Sequence, residues 1–366
     1  METTIIGLPK SGKTTIFNAL TRGKAEVAAY TQSSLVPNVG IAKVAEPRLK
    51  TLESIFQPRK TTPAEIKYVD IVGTGKGFGK GEGIGGQFLN YLSDADALLQ
   101  IVRSFNNENV PHIEGNIDPL RDIAVMDLEL IFSDLTIIER RLERIETGLK
   151  GAKGVERDQQ VREQALLKQI KLKLEKEIPI WQQSLTNEEQ KSLSNYQFLT
   201  AKPMLIILNI GEDQLKEISL LEANFRSKYS HPQFEVVALC AKLEMELSQL
   251  AAAEAEEFRA SMGLTESALD RVVRASYHLL GLVSFFTTVS SELKAWTIPK
   301  GATAIKAAGK IHSDIEKGFI RAEVISFDDL KKCGSLTEAK RLGLLRLEGK
   351  NYVVQDGDLI TFLFNV

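Results

Sequence analysis

The chain opens on a short β-branched run, Thr3-Thr4-Ile5-Ile6, crosses a glycine-bounded loop, and continues into Ile16-Phe17-Asn18-Ala19-Leu20, whose pattern predicts a helix. Strand-like apolar runs return at residues 39–44, 65–71, 97–102, 204–208 and 235–239, which makes the chain an α/β protein. A different period begins at Leu128. Leu128, Ile131, Leu135, Ile138, Leu142, Ile145 and Leu149 alternate by three and four positions, the spacing of a coiled-coil seam. Gly148, Gly151 and Gly154 break that helix, and Val161, Leu167, Ile170 and Leu174 resume an apolar stripe. Together they predict an antiparallel two-helix arm on the order of 30 Å long. Near the C-terminus, strand patterns at 282–289, 293–298 and 359–364 surround a helical stretch at 302–311, a composition suited to a small α+β domain. Trp296 and Phe319 are expected in its core.

At 366 residues the chain exceeds one ordinary domain of roughly 100 to 200 residues, so two or three are expected. Hydrophobic residues at 43% and charged residues at 26% argue against wholesale disorder and against a membrane class. The N-terminal residues carry no export pattern. Cys240 and Cys333, 93 positions apart, fit a reducing compartment and give no metal-ligand spacing. The expectation is a cytoplasmic protein with no membrane partner. A net charge of −2 names no partner. Residues 140–176 do carry 11 basic and 6 acidic side chains, a surplus that an RNA phosphate surface and a solvated helix face explain equally well.

Chemistry concentrates in Gly7-Leu8-Pro9-Lys10-Ser11-Gly12-Lys13-Thr14, a Gly-x-x-x-x-Gly-Lys-[Ser/Thr] loop between a strand and a helix. Glycines let backbone N–H groups converge on phosphate oxygens, and the helix N-terminus adds its positive end. Pro9, Lys10, Ser11, Gly12 and Thr15 are the expected phosphate-loop contacts, Lys13 would bridge the β- and γ-phosphates, and Thr14 would bind Mg²⁺. The strand at 65–71 leads into Asp70-Ile71-Val72-Gly73, so Asp70 is expected to reach Mg²⁺ through water and the Gly73 amide to contact the γ-phosphate. From Gly73 to Gly86, eight of fourteen residues are glycine, which predicts a switch loop ordered by the triphosphate. The polar loop before residue 39 occupies the place of a first switch, with Ser34, or Ser33 beside it, as the second hydroxyl on Mg²⁺.

Asn209-Ile210-Gly211-Glu212 follows the strand at 204–208, where a guanine-binding protein usually carries Asn-Lys-x-Asp. The lysine is missing, and the longer Glu212 cannot put its carboxylate where an aspartate would meet guanine, so ATP is expected over GTP. The Asn209 amide would pair with the N7 and N6 edge of adenine, the Ile210 backbone with the rest of the ring edge, and Cys240-Ala241-Lys242 would form a third base-contacting loop.

These motifs, in this order, resemble those of the Obg-related ATPases of the YchF type over nearly the whole chain. Besides the phosphate loop, the resemblance rests on Phe17-Asn18-Ala19-Leu20-Thr21, Pro37-Asn38, Glu46-Pro47-Arg48-Leu49, Lys80-Gly81-Glu82-Gly83, Asp118-Pro119-Leu120-Arg121-Asp122 and Asn209-x-x-Glu212. Lys317-Gly318-Phe319-Ile320-Arg321-Ala322-Glu323-Val324 and Tyr352-Val353-Val354-Gln355-Asp356-Gly357-Asp358 are similar to that family's TGS module. The resemblance implies a Ras-like nucleotide domain over 1–127 and 200–281, a helical coiled-coil insertion over 128–199, and a ubiquitin-like β-grasp TGS domain over 282–366. It also implies ATP hydrolysis with Mg²⁺ and association with the ribosome, whole or large subunit, by a chain expected to be monomeric. Three departures stand out. Lys10-Ser11 replaces the family's common Asn-Val, Ser34 replaces threonine, and Thr74 stands where Ras has glutamine and this family a hydrophobic residue.

Without that glutamine, unaided hydrolysis is expected to be slow. His112, in the loop after the strand at 97–102, is the candidate for orienting the attacking water. His231, His278 and His312 stand in no comparable motif and are assigned structural roles. Two rivals remain open on sequence grounds: a GTPase of the same plan, and a non-enzymatic RNA-binding adaptor whose nucleotide is structural.

Overall fold

A computed structural model describes residues 1–23, 37–71, 87–229 and 231–365. The N-terminal apolar run forms β1 (Glu2–Ile6), with its last four residues buried, and the glycine loop leads into α1 (Lys13–Thr21). Next come β2 (Asn38–Lys43), α2 (Arg48–Phe56), β3 (Lys60–Thr62), β4 (Glu65–Asp70), α3 (Gln87–Asp94) and β5 (Ala97–Arg103). Helices α4 (Pro119–Leu149), α5 (Gly154–Leu174) and α6 (Asn187–Leu193) precede β6 (Met204–Asn209), α7 (Ile218–Lys228), β7 (Phe234–Leu239) and α8 (Ala241–Leu247). Packing divides the chain into two compact units, Met1–Gly40 with Lys67–Leu269 and Ile41–Ile66 with Asp270–Val366.

In the first sheet the order is β2-β4-β1-β5-β6-β7. The ladders from β4 through β7 are parallel, with Ile5 opposite Asp70, Ile6 opposite Gln100, and Arg103 opposite Asn209. Because parallel strands share a direction, these registers bring the ends of β4, β1, β5 and β6 to one edge, where α/β sheets hold ligands. Among the described residues no helix is long and apolar enough to cross a membrane.

Helix α4 starts nine residues before the predicted seam, since Asp118 caps it, accepting from the N–H groups of Leu120 and Arg121, and Pro119 suits its first turn. Its first half packs Ile123, Met126 and Leu130 against the sheet. Its second half packs Ile131, Ile138, Leu142 and Ile145 against Leu167, Ile170 and Leu174 of α5. Leu135 and Leu149 join that core from its margin, whereas Val161 is left exposed. The pairs Lys171–Glu139 (2.8 Å) and Arg141–Glu163 (2.7 Å) run in opposite senses along the two helices, which are therefore antiparallel.

After α9 (Ala252–Ser261) and α10 (Ala268–Leu279) the second unit supplies β8 (Leu282–Val289), β9 (Glu292–Pro299), α11 (Ala304–Ile311), β10 (Phe319–Ser326), β11 (Arg346–Glu348) and β12 (Asp358–Phe364). Its sheet runs β11-β10-β12-β8-β9-β3. Ala304, Ala307 and Ala308 of α11 pack on Phe285, Ile298, Val324 and Ile360, the arrangement of a β-grasp, and Phe319 lies in that core as expected. Sequence reasoning did not foresee β3. It adds in parallel to β9, Lys60 opposite Glu292 and Thr62 opposite Lys294, and Thr62 Oγ1 donates to Glu292 at 2.6 Å. A three-residue strand carries too little pattern to be seen from sequence.

Candidate nucleotide site

The phosphate loop closes because two of its residues have no side chain. Gly7 (φ 144°) and Gly12 (φ 99°) occupy backbone regions that favour glycine. A Cβ at Gly7 would strike the Ile101 carbonyl oxygen, and one at Gly12 the Asn209 amide nitrogen. Pro9, Lys10 and Ser11 form the turn between them, and Lys13, Thr14 and Thr15 the first turn of α1, whose early N–H groups are free for a ligand by helix geometry.

Lys13 Nζ donates to the carbonyls of Gly7 (2.9 Å) and Leu8 (3.0 Å). Burial pulls its pKa down to about 8, against the opposing pull of Asp70. Asp70, buried at the end of β4, is pushed up by desolvation and held down by Thr14, Lys13 and Asn38. Its Oδ2 accepts from Thr14 Oγ1 at 2.9 Å and Asn38 Nδ2 at 3.5 Å. Among the described residues its Oδ1 is buried with no donor, and the Ser11 hydroxyl oxygen is likewise without a partner. A buried carboxylate oxygen left unpaired is costly unless something supplies positive charge. A hydroxyl-carboxylate pair with one spare oxygen, beside a loop of N–H donors, fits a hydrated Mg²⁺ on a polyphosphate.

Asn209 has a second task that the sequence concealed. Its Nδ2 donates to the Ser11 carbonyl at 2.8 Å and its Oδ1 accepts from the Ala241 N–H at 3.1 Å, so it fastens the phosphate loop to the start of α8. A primary amide offers two donor and two acceptor positions, so half of that capacity is spent. The Ile210 N–H is committed to the Leu239 carbonyl at 2.9 Å. Glu212 and Lys242 pair at 3.0 Å on the exposed rim, and Cys240 is buried at the N-cap of α8.

His112 is nearly buried in the loop between β5 and α4. Its Nδ1 accepts from the Glu114 N–H at 3.1 Å, and its Nε2 stands 2.9 Å from Asp122 Oδ2 in the first turn of α4. Asp122 also receives Arg121 Nη2 at 2.8 Å. Beneath the loop lies Arg103, a functional candidate outside every sequence motif. It is 2% exposed, donates to the carbonyls of Phe105 (3.2 Å) and Asn107 (3.4 Å), and sits 4.5 Å from the Phe105 ring centre. The signal for it was a cation ending an otherwise almost wholly apolar strand. Arg103 and His112 share a 550 Å³ cavity with Asn106, Asn107, Asp213 and Gln214. Ser33, Ser34, Gly73 and Thr74, with the rest of the glycine-rich segment, lie outside the described residues.

Comparison with known proteins adds an independent result. A family model described as a 50S ribosome-binding GTPase matches residues 2–132, and the YchF-GTPase_C model, described as a protein of unknown function, matches residues 282–365. The chain is 42% identical over 364 residues to the ribosome-binding ATPase YchF of Bacillus subtilis strain 168, and 41% identical over 362 residues to that of Escherichia coli O157:H7. In both cases the match covers 99% of this chain and 98% of the relative. Among solved structures, the YchF GTPase of Schizosaccharomyces pombe superposes with a TM-score of 0.86 at 29% identity, covering 99% of this chain and 97% of that one.

Proposed function

This chain belongs to the YchF family, and from that membership we propose a cytoplasmic, magnesium-dependent ATPase of slow intrinsic turnover whose nucleotide state governs its association with ribosomes. The observation that carries the ATPase proposal is the unpaired, buried Oδ1 of Asp70 beside the Thr14 hydroxyl at the mouth of the phosphate loop. The loop amides grip the phosphates, and Lys13 exchanges the carbonyls of Gly7 and Leu8 for phosphate oxygens. Thr14, Asp70 and Ser34 would hold Mg²⁺, which when bound neutralises charge developing on the transferred phosphoryl group. The Gly73 amide is assigned to the γ-phosphate. His112 is assigned to the attacking water, supported by its place on the loop leaving β5, the strand next to β1.

For the base, adenine is favoured because the one carboxylate of the motif, on Glu212, is held by Lys242 on the rim. Guanine would present N1–H and 2-amino donors where no carboxylate of the motif is turned to meet them. The second Nδ2 proton of Asn209 remains for adenine N7. GTP is kept as the second reading because one matching family model and one solved relative are described as GTPases. The C-terminal unit is assigned as a TGS module, and α4 with α5 as a coiled-coil arm toward ribosomal RNA.

Calorimetric titration with the magnesium complexes of both nucleotides decides. ATP is expected to bind at least about tenfold tighter than GTP, and the opposite order overturns the adenine assignment. Cosedimentation with ribosomes should differ between ADP and a non-hydrolysable ATP analogue; identical pelleting rejects nucleotide control of association.

A further inference from the structure

We propose that the contact of His112 with Asp122 is an autoinhibitory latch, and that Arg103 is the positioning residue that holds the latch loop and receives Asp122 when His112 lets go. The inference rests on the assignment of His112 to the attacking water.

A neutral imidazole has one lone-pair nitrogen and one N–H. At His112 the lone pair on Nδ1 is taken by the Glu114 N–H, so the proton sits on Nε2 and is directed at the Asp122 carboxylate. No acceptor remains for water. The side chain is 3% exposed and its turn is closed by the Gly115 N–H on the His112 carbonyl at 3.1 Å. In this arrangement His112 is held out of use: it can take a proton only after the Glu114 N–H leaves Nδ1, or after the ring leaves Asp122 and turns.

Departure of His112 uncovers a buried charge. The Asp122 carboxylate is 4% exposed, and without His112 its Oδ2 loses a donor while Oδ1 keeps Arg121. Arg103 supplies the compensation. Asp122 already acts on its guanidinium electrostatically, and among the described residues its buried Nη1 has no partner. Nε and Nη2, bonded to the Phe105 and Asn107 carbonyls, fix the plane of the group while leaving that donor unspent. A buried guanidinium with an idle N–H is unfavourable as an end state and reasonable as a reserve for a second one. Arg121, which also grips Asp122, is partly exposed and tied to Asn116. Released from His112, Asp122 would turn to Arg103, giving the loop a second arrangement with its charges balanced, a condition for a switch.

The test uses the full chain and single-turnover hydrolysis of magnesium ATP. Asp122→Asn replaces the carboxylate by a weaker acceptor, and Glu114→Pro deletes the N–H that occupies Nδ1 at an exposed position. Each is expected to raise the hydrolysis rate about three- to tenfold without moving the KM for ATP. Arg103→Gln should lower the rate, with Arg103→Lys recovering part of it. Both gains should vanish when His112→Ala is added. A purely structural contact predicts instead that loosening it slows hydrolysis or changes nothing, and that result in both variants overturns the latch. If His112→Ala alone leaves the rate unaltered, the water assignment falls. Amide exchange at residues 112–115 then reads the latch separately: Asp122→Asn accelerates it if the latch exists, and unchanged exchange removes the proposal.

Discussion

Lys13 shows how a single burial changes what a residue can report. Its amine lies against carbonyl oxygens with its pKa lowered to about 8, and phosphate oxygens would restore a high value by stabilising the charged form. Below pH 8 the amine is protonated with and without nucleotide, so affinity should be flat. Above it, binding must draw in a proton, and affinity should fall by about tenfold per pH unit until the bound-state pKa is reached. Calorimetry near pH 9 in buffers of different ionisation enthalpy should register that uptake; its absence would mean that Lys13 is fully charged before ligand arrives. Most of this site was legible as residues, because a glycine loop, a lysine and a threonine in fixed order act through their own backbone. The contact of Asn38 with Asp70 and the place of Arg103 were not. Each residue acts because its strand lies beside another, Asn38 of β2 reaching Asp70 of β4, and Arg103 of β5 standing opposite Asn209 of β6.

Among the elements, the helical arm was the easiest to anticipate, since its apolar repeat is set by helix geometry alone. What the repeat did not reveal was that α4 serves two cores. Its N-terminal half is fixed to the sheet, and Asp134 on its C-terminal half accepts the N–H groups of Leu199 (2.7 Å) and Thr200 (2.9 Å), closing the insertion where the chain returns to β6. Ile170, fully buried between the helices, should be sensitive to truncation. Ile170→Ala is expected to cost about 2–5 kcal/mol in chemical denaturation. Nucleotide affinity should stay as it is, because no residue of the phosphate loop packs in that core. A loss of affinity together with stability would show that the arm and the nucleotide site unfold as one.

For the whole molecule, the division of the chain is not the division of the sequence. Residues 41–66 belong to the compact unit built mainly from the C-terminal quarter. There β3 completes the edge of the sheet, and Arg48 pairs with Asp356 at 2.8 Å while Asp356 accepts the Ser284 N–H at 2.8 Å. A fragment of residues 270–366 alone should therefore be less stable than one carrying residues 41–66 on a linker. Thermal melts of the two should differ by on the order of 4–8 °C for each kcal/mol recovered. Equal melting temperatures would make β3 and α2 passengers.

Sequence by itself determined the phosphate loop, the apolar strands of the nucleotide sheet, the seam of the arm and the family. These follow from neighbours along the chain, where dihedral preference, period and motif spacing are local quantities. Tertiary structure alone decided that Asn209 fastens two loops together, that His112 has both nitrogens engaged, that Arg103 keeps an unspent donor, and that β3 leaves its sequence neighbours for a distant sheet. Each of these depends on which groups meet after burial removes water as a partner, and no local pattern encodes that meeting.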